Sequence, residues 1–424
     1  MNIIKQKYKP RLIDSIIEEY LKSCGAICIE GPKWCGKTWT SSYHSNSGFY
    51  VGDPDNNFSN RELATLKPSL VLKGEKPRII DEWQEVPSLW DASRSLVDGS
   101  DEYGLLILTG SSTPKTKGVM HSGTGRIVSI RMNTMSLFES GDSSGVISLN
   151  GLIEGNFNEQ LTGEVDLEHL AYLICRGGWP RNINAKNHLI TPKSYVDKII
   201  NSNLTDEEGK RYSKDKIENI LKSLARNEST TINISKISND IKDVDGKNIS
   251  ADTIDRYIEA MSRMFIFNNQ EPYDPNVRSS LRVKGNVKRH FCDPSLTCAI
   301  LNLNEKKLLN DLNTFGFLFE SLVERDLSIY SQSIGGKLFH YQNYSNEEID
   351  AVIELSNGNW CAFEIKLGAN KIDEAAKNLN KVSKHIKDTG GKEPIIKCVI
   401  SGLSNAAYKR DDDVYVLPIT ALKP

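Results

Sequence analysis

No uninterrupted apolar run in the 424 residues is long enough to span a bilayer, and no basic stretch at the N-terminus leads into an apolar one. The expectation is a soluble cytoplasmic protein. Net charge is also scarce. The 53 Lys and Arg against 55 Asp and Glu leave −2, which argues against attraction of the whole chain to nucleic acid but allows a local basic groove. The eight cysteines include no C-x-x-C pair, which removes the common paired-cysteine zinc frameworks. Most stand as packing residues in apolar runs; Cys35 falls inside a glycine-bearing loop, where it would be open to oxidation without taking part in chemistry. The length argues against one compact domain and for two or three, and 38 % hydrophobic residues can fill ordinary cores.

What is present centres on Gly31, Pro32, Lys33, Trp34, Cys35, Gly36, Lys37 and Thr38, a full match to G-x-x-x-x-G-K-[ST] directly after the apolar run Ala26–Ile29. Chemistry requires those residue types. The glycines let the backbone curl so that successive N–H groups face the α- and β-phosphates, Lys37 reaches the β/γ oxygens, and Thr38 offers a hydroxyl to Mg²⁺. A second apolar run, from Arg78, ends in Asp81 and Glu82, where a parallel sheet delivers side chains to a nucleotide at its C-terminal edge. Asp81 would hold Mg²⁺ through water and Glu82 would polarise the attacking water, so the pattern points to an ATP hydrolase.

Around these, Tyr8–Leu21 reads as a helix, Gly48–Val51 as a strand, Trp90–Val97 as a helix and Gly104–Thr109 as a strand. At the end of that last strand a polar residue can sense the γ-phosphate or hold water, with Ser111 the first choice and Thr109 the second. A Ser/Thr/Gly/Lys-rich stretch then leads to Gly123, Gly125 and Arg126, ahead of the strand Ile127–Ile130. Arg126 would supply charge to the transferred phosphoryl group in cis, or from a neighbouring subunit in a homo-oligomer, or would simply be a solvated surface arginine. The glycines at 145, 151 and 155 close this first domain near residue 150.

Residues 151–225 read as a mostly helical linker region interrupted by the loop Arg176–Pro180. In the module 226–304, Ile234, Ile237 and Ile241 mark one helix, and Ser250 caps a second that runs to Met261. Met264–Phe267 then reads as a strand. Helix, turn, helix and strand is winged-helix wiring, which serves either to bridge domains or to place its second helix in a DNA major groove. Arg278 to Arg289, with Arg282, Lys284 and Lys288, is the most basic short block, and any phosphate contacts to double-stranded or branched DNA should include it; a solvated hairpin is the plainer reading.

In the last domain, 305–424, Leu312–Tyr330 reads as a helix carrying Glu320, followed by strands at Leu338–Tyr341, Glu347–Ile353 and Trp360–Leu367. Glu364 and Lys366 are two apart on one strand and project from the same face, with Asp350 on the strand before. D-x₁₃-E-x-K behind a helical glutamate is the layout of a metal-dependent nuclease. Asp350 and Glu364 would coordinate Mg²⁺ or Mn²⁺, Glu320 would complete the shell, and Lys366 would position water or stabilise phosphate charge; the same layout serves a preserved fold without activity.

Taken together, Gly31–Thr38, Ile79–Gln84, Gly125–Arg126 and the Met135-Ser-Leu-Phe-Glu139 segment resemble a family of prokaryotic ATPases of the P-loop AAA type with a C-terminal DUF4143 domain. The resemblance covers nearly the full chain. It implies an α/β fold class: a P-loop AAA-type nucleotide-binding domain, a winged-helix-like middle segment over Ile234–Phe267, and a PD-(D/E)xK-like C-terminal α/β domain through Asp350, Glu364 and Lys366. One departure is Cys292-Asp293-Pro294, where the family has an apolar residue, Asp and Thr-Gly-Leu. The resemblance implies an ATPase and leaves the client, a protein or DNA, open.

Overall fold

The computed structural model describes residues 7–112, 122–202, 204–205, 211–241, 246, 248–345 and 347–424. Most of the Ser/Thr/Gly/Lys-rich stretch ahead of Gly123 lies outside them. The chain divides into two compact units, one running to Thr134 and including Ala260–Ile266, the other comprising Met135–Glu259 and Phe267–Pro424. Residues 135–150, which the sequence reading placed with the nucleotide-binding domain, thus pack in the second unit.

The first unit is built on a five-stranded, wholly parallel sheet: β1 (Ala26–Glu30), β2 (Ser47–Tyr50), β3 (Arg78–Asp81), β4 (Leu106–Gly110) and β5 (Ile127–Arg131), in the order β2-β3-β4-β1-β5. Central parallel strands are covered on both faces, which is why β1 and β4 read as continuous apolar runs. Ile27, Ile29 and Ile107 pack on one face with Ile13 and Ile17 of the N-terminal helix segment. Cys28, Ile80, Leu106 and Leu108 pack on the other with Leu89 and Trp90. The N-terminal helix starts at Asp14 rather than Tyr8. Pro10 disfavours helix in the residue before it, and the Asp14 carboxylate accepts the Arg11 N–H at 2.8 Å and the Tyr8 hydroxyl at 2.7 Å, holding that stretch across the helix start.

The second unit contains β6 (Ile147–Ser148), β7 (Gln160–Leu161), β8 (Gly336–Gln342), β9 (Glu348–Leu355), β10 (Trp360–Lys366), β11 (Ile396–Ser401), β12 (Ala406–Lys409), β13 (Tyr415–Pro418) and β14 (Leu422–Lys423). Seven of them form one sheet in the order β7-β12-β13-β11-β10-β9-β8, and β6 pairs with β14. Strands β8, β9 and β10 run antiparallel, β11 joins β10 in parallel, and the 17-residue helix Ile372–Asp388 makes the crossover between them. Its apolar side, Ala375, Leu379, Val382 and Ile386, packs over Val352, Trp360 and Val399.

Three segments singled out in the sequence meet in this unit. Ser136 and Glu139 form a reciprocal capping box, Met135 N–H donates to Gly178 O at 2.7 Å, and Asp293 accepts from Gly178 N–H at 2.9 Å. A Cβ on Gly178 would stand 2.0 Å from Met135 O, so that glycine is required by close packing. Arg325 bridges Asp293 and Asp326, all three buried, and Asp326 accepts the Leu137 N–H at 2.9 Å. Pro294 occupies the first turn of the helix Pro294–Ile300, a position whose N–H needs no helical partner, so the departure at that residue is accommodated without distortion.

Helices occur at Ile234–Asp240 and Ala251–Ser262, and Ser250 Oγ accepts the Thr253 N–H at 3.3 Å as the expected cap. Met264–Phe267 is not a strand. Phe265 adopts φ 59°, a left-handed turn conformation, and of the four residues only Phe267 is bridged, to Phe291. Among the described residues no helix is long and apolar enough to cross a membrane.

Candidate functional site

In a parallel sheet every strand delivers its C-terminal end to the same edge. Here that edge carries Glu30, Tyr50, Asp81, Gly110 and Arg131. The chain leaves β1 at this edge, curls through residues 31–36 and enters the helix Lys37–Tyr43. Gly36 has φ 109°, open to glycine alone, whereas Gly31 is required by packing: a Cβ there would lie 2.1 Å from Met132 O. Lys33 and Trp34 are exposed on the loop, and Pro32 is buried beneath it. Cys35, expected to be open to oxidation, is fully buried with its thiol 3.7 Å from Met132 O, because it packs with Ile29 and Ile130.

Lys37 is buried and curls under the loop, its ammonium donating to Gly31 O and Pro32 O at 2.9 Å each. A second cation, absent from the motif, fastens the loop from outside. Buried Arg11 donates to Cys35 O at 2.8 Å, to Asn133 O at 2.9 Å and to Thr134 O at 3.1 Å. No local pattern around Arg11 marks this role; its partners lie 24 and more than 120 residues away.

Strand β4 separates β1 from β3, so its end lies between the phosphate loop and the two acids. Asp81 Oδ1 accepts from Thr38 Oγ1 at 2.9 Å and from Thr109 Oγ1 at 2.7 Å. Burial raises the Asp81 carboxyl above its ordinary pKa, and the Thr109 and Thr38 hydroxyls oppose the shift. Glu82 is turned out of the strand by a left-handed backbone, φ 56°, and its N–H is held by Thr109 Oγ1 at 3.0 Å. Its carboxylate accepts Ser111 Oγ at 2.8 Å and the Gln84 amide. Both β4 candidates therefore sit at the acids, with Thr109 on Asp81 and Ser111 on Glu82. Gln84 is a contact that residue-by-residue reading missed, although it belongs to the Ile79–Gln84 motif.

Thr38 hydroxyl and Asp81 carboxylate are hard oxygen donors already in contact beside Lys37, a set that suits Mg²⁺ with waters completing its shell. Arg126 is elsewhere. Its carbonyl accepts the Ala26 N–H at the first residue of β1, and its guanidinium pairs with Asp98 at 2.7 Å. It stands at the N-terminal edge of the sheet, a five-residue strand or about 16 Å from the loop at ~3.3 Å per residue. It pairs there with Asp98 rather than standing beside the loop.

The second polar centre lies in the C-terminal sheet. The register Phe363↔Ala351 puts Asp350 across from Glu364 at the next step. Lys366 donates to Asp350 Oδ2 at 2.9 Å and to Glu364 Oε2 at 2.7 Å, while Asn378 holds Glu364 Oε1 at 2.8 Å. Asp350 Oδ2 also accepts the Ile365 N–H at 2.8 Å. Burial pushes the Glu364 carboxyl up to about 8, with Asp350 adding and Lys366 opposing. Glu320 joins the group through Lys288, whose ammonium pairs with Glu320 and, at 2.9 Å, with Glu324. His290 meets Glu324 at 3.0 Å; burial alone would lower its pKa, but the Glu324 and Glu228 carboxylates outweigh it and hold the imidazole up at about 9.

Lys288, Glu324, His290 and Asn378 were thus missed as members of this centre. Lys288 does not belong to a basic surface, and the block 278–289 is largely spent internally. Arg282 pairs with Glu354 at 2.7 Å and covers the Tyr273 ring, Arg289 donates to Ile232 O, and Lys288 is buried. Among the described residues no group of three His, Cys, Asp or Glu side chains is placed to hold a metal ion.

Three family models match the chain: an AAA domain over residues 24–140, a domain of unknown function (DUF8612) over 167–307, and a domain of unknown function (DUF4143) over 315–422. The chain carries an AAA P-loop domain followed by a DUF4143 domain. The DUF8612 match spans most of the helical linker 151–225 and all of the winged-helix-like module 226–304. Among solved structures, the Walker-type ATPase PABY2304 of Pyrococcus abyssi is 13% identical over 71% of this chain and 98% of that one, with a TM-score of 0.40. A RuvB variant of Thermotoga maritima is 13% identical over 61% of this chain and 88% of its own, with a TM-score of 0.27. The RuvB Holliday junction branch migration motor of the same organism has the same identity and coverage, with a TM-score of 0.26. No curated protein matches the chain.

Proposed function

We propose that the first unit binds and hydrolyses ATP with Mg²⁺, and that the nucleotide state governs recognition of a protein client or DNA. The observation that carries the hydrolytic part is the convergence, at one sheet edge, of Lys37, Thr38 with Asp81 at 2.9 Å, and Glu82 with Ser111 at 2.8 Å. Lys37 would leave its two carbonyls for β/γ oxygens, with the N–H groups of the loop turned to the phosphate chain. Thr38 and Asp81 would hold Mg²⁺, which supplies charge neutralisation on the phosphates when bound. Glu82 orients the attacking water, and Ser111 and Gln84 fix the carboxylate that does so.

For recognition, the helix pair Ile234–Asp240 and Ala251–Ser262 is the winged-helix-like element, with Arg256 and Arg263 its cations and Asp252, Asp255 and Glu259 opposing them. The test is ATP turnover in Mg²⁺ and in Mn²⁺, with and without duplex or branched DNA, the DNA being run on a gel afterwards. The reading expects Mg²⁺-dependent turnover with the DNA intact. DNA cleavage would establish the nucleotide-gated nuclease instead, and binding without turnover would leave a nucleotide-gated interaction module.

Arg126, paired with Asp98 at the N-terminal edge of the sheet, is read as acting from a second copy. Mixing Arg126→Ala protein with Lys37→Ala protein is expected to restore part of the hydrolysis that each has lost, since the first retains an intact loop and the second an intact arginine. No recovery at any mixing ratio would leave Arg126 as the surface partner of Asp98.

A further inference from the structure

The centre around Asp350 has the residue types of a divalent-metal site, so the fit can be judged from the partners that its carboxylates already hold. Asp350 Oδ2 takes the Lys366 ammonium and the Ile365 N–H. Glu364 Oε2 takes Lys366 and its Oε1 takes Asn378. Glu320, the third ligand expected from sequence, meets a second ammonium, that of Lys288, which also binds Glu324 Oε1 at 2.9 Å and Asp350 O at 3.1 Å. A dication needs carboxylate oxygens turned toward one point and relieved of other cations. Here two lysines divide them.

Charge gives the same answer. Glu320 and Glu324 each have the Lys288 ammonium at ion-pair distance, and Asp350 and Glu364 each have that of Lys366. None of the four carboxylates is left without a lysine. Lys288 is also not a side chain that strayed in. Residues 288 and 270 form an antiparallel bridge with N–O distances of 3.0 and 2.9 Å, which fixes the backbone that delivers it, and the residue is 7 % exposed.

We infer that Lys288 is the built-in counter-cation of this centre, so that the DUF4143 segment keeps a nuclease-like carboxylate layout in a form closed by lysine and independent of divalent metal. The centre joins three parts of the second unit: the 286–291 segment through Lys288, the helix Leu312–Ser333 through Glu320 and Glu324, and the sheet through Asp350. The inference does not depend on ATP hydrolysis by the first unit.

The test uses the full chain without nucleotide, in an Asp81→Asn background that removes the acid of the first unit. Thermal melting is followed in chelator and in millimolar Mn²⁺, beside calorimetric titration with Mn²⁺. The parent is expected to melt at the same temperature in both and to give no saturable heat. Lys288→Met strands buried carboxylates, so it should melt lower by about 5 °C or more in chelator and recover with Mn²⁺; a further Asp350→Asn change should remove the recovery. Lys288→Arg, which keeps the charge, should melt closer to the parent and ignore Mn²⁺. A saturable Mn²⁺ response in the parent that Asp350→Asn abolishes would overturn the inference. So would a Lys288→Met protein that melts with the parent. If Lys288→Met does not fold, the parent titration alone still decides.

Discussion

Lys37→Ala is expected to bring nucleotide binding below detection by calorimetry while the protein keeps its melting temperature to within a few degrees. The ammonium is the one side-chain cation that the loop itself aims inward, and its bonds to Gly31 O and Pro32 O are exchangeable for phosphate oxygens at the same position. Charge-assisted hydrogen bonds contribute roughly 1.5–3 kcal/mol each. Losing two therefore costs at least about a hundredfold in affinity. The fold should survive because the loop has a second fastening, Arg11 on Cys35 O, that the substitution leaves alone. Unchanged affinity would sink the assignment of the phosphate site.

For Glu82→Gln the expected result is the reverse split, with ATP held and turnover reduced by about 10²–10⁴, the range for losing a general base. The amide has nearly the shape of the carboxylate and offers an oxygen to Ser111 Oγ, whose hydroxyl at 2.8 Å can still donate. The left-handed turn at residue 82 and the Thr109 contact to its N–H are backbone features and persist. What disappears is the negative charge that orients and polarises water. Comparison of single-turnover rates with binding constants measures both halves. Turnover retained within a fewfold would place the base elsewhere, with Asp81 the remaining carboxylate on that strand.

The nucleotide edge was legible because its chemistry is local. A phosphate loop needs its residues in sequence, so Gly36 at φ 109° and Lys37 beside Thr38 could be read directly, and the apolar strands feeding them had to be continuous to be buried on both faces. What escaped was held across the chain. Arg11 reaches carbonyls at 35, 133 and 134, and Lys288 reaches acids at 320 and 324, so neither shows in any window of neighbouring residues. The basic block misled for the same reason: charge counted along the chain says nothing of the partners, such as Glu354 for Arg282, that fold back onto it. Arg126 could not be placed without the register of β5 on β1, which sends it to the far edge. The strand expected at Met264–Phe267 had the right composition, but β-propensity in so short a run yields to a turn at Phe265.

The pairing of Ile147 with Leu422 and of Leu161 with Ala406 bears on how the second unit is made rather than on what it does. Contacts between residues more than 240 positions apart cannot form until nearly the whole chain has emerged from the ribosome, and domains dominated by such distant pairings fold slowly. Until then β7 has been made but has no β12 to pair with, and the two edges meet only when the last strands of the sheet are present. A fragment cut to the DUF4143 boundaries would keep the β12 edge bare permanently, because β7 lies outside residues 315–422. The pairings of β6 with β14 and of β7 with β12 are thus late closures, and production of this unit in soluble form depends on sequence that lies far upstream of the sheet it protects.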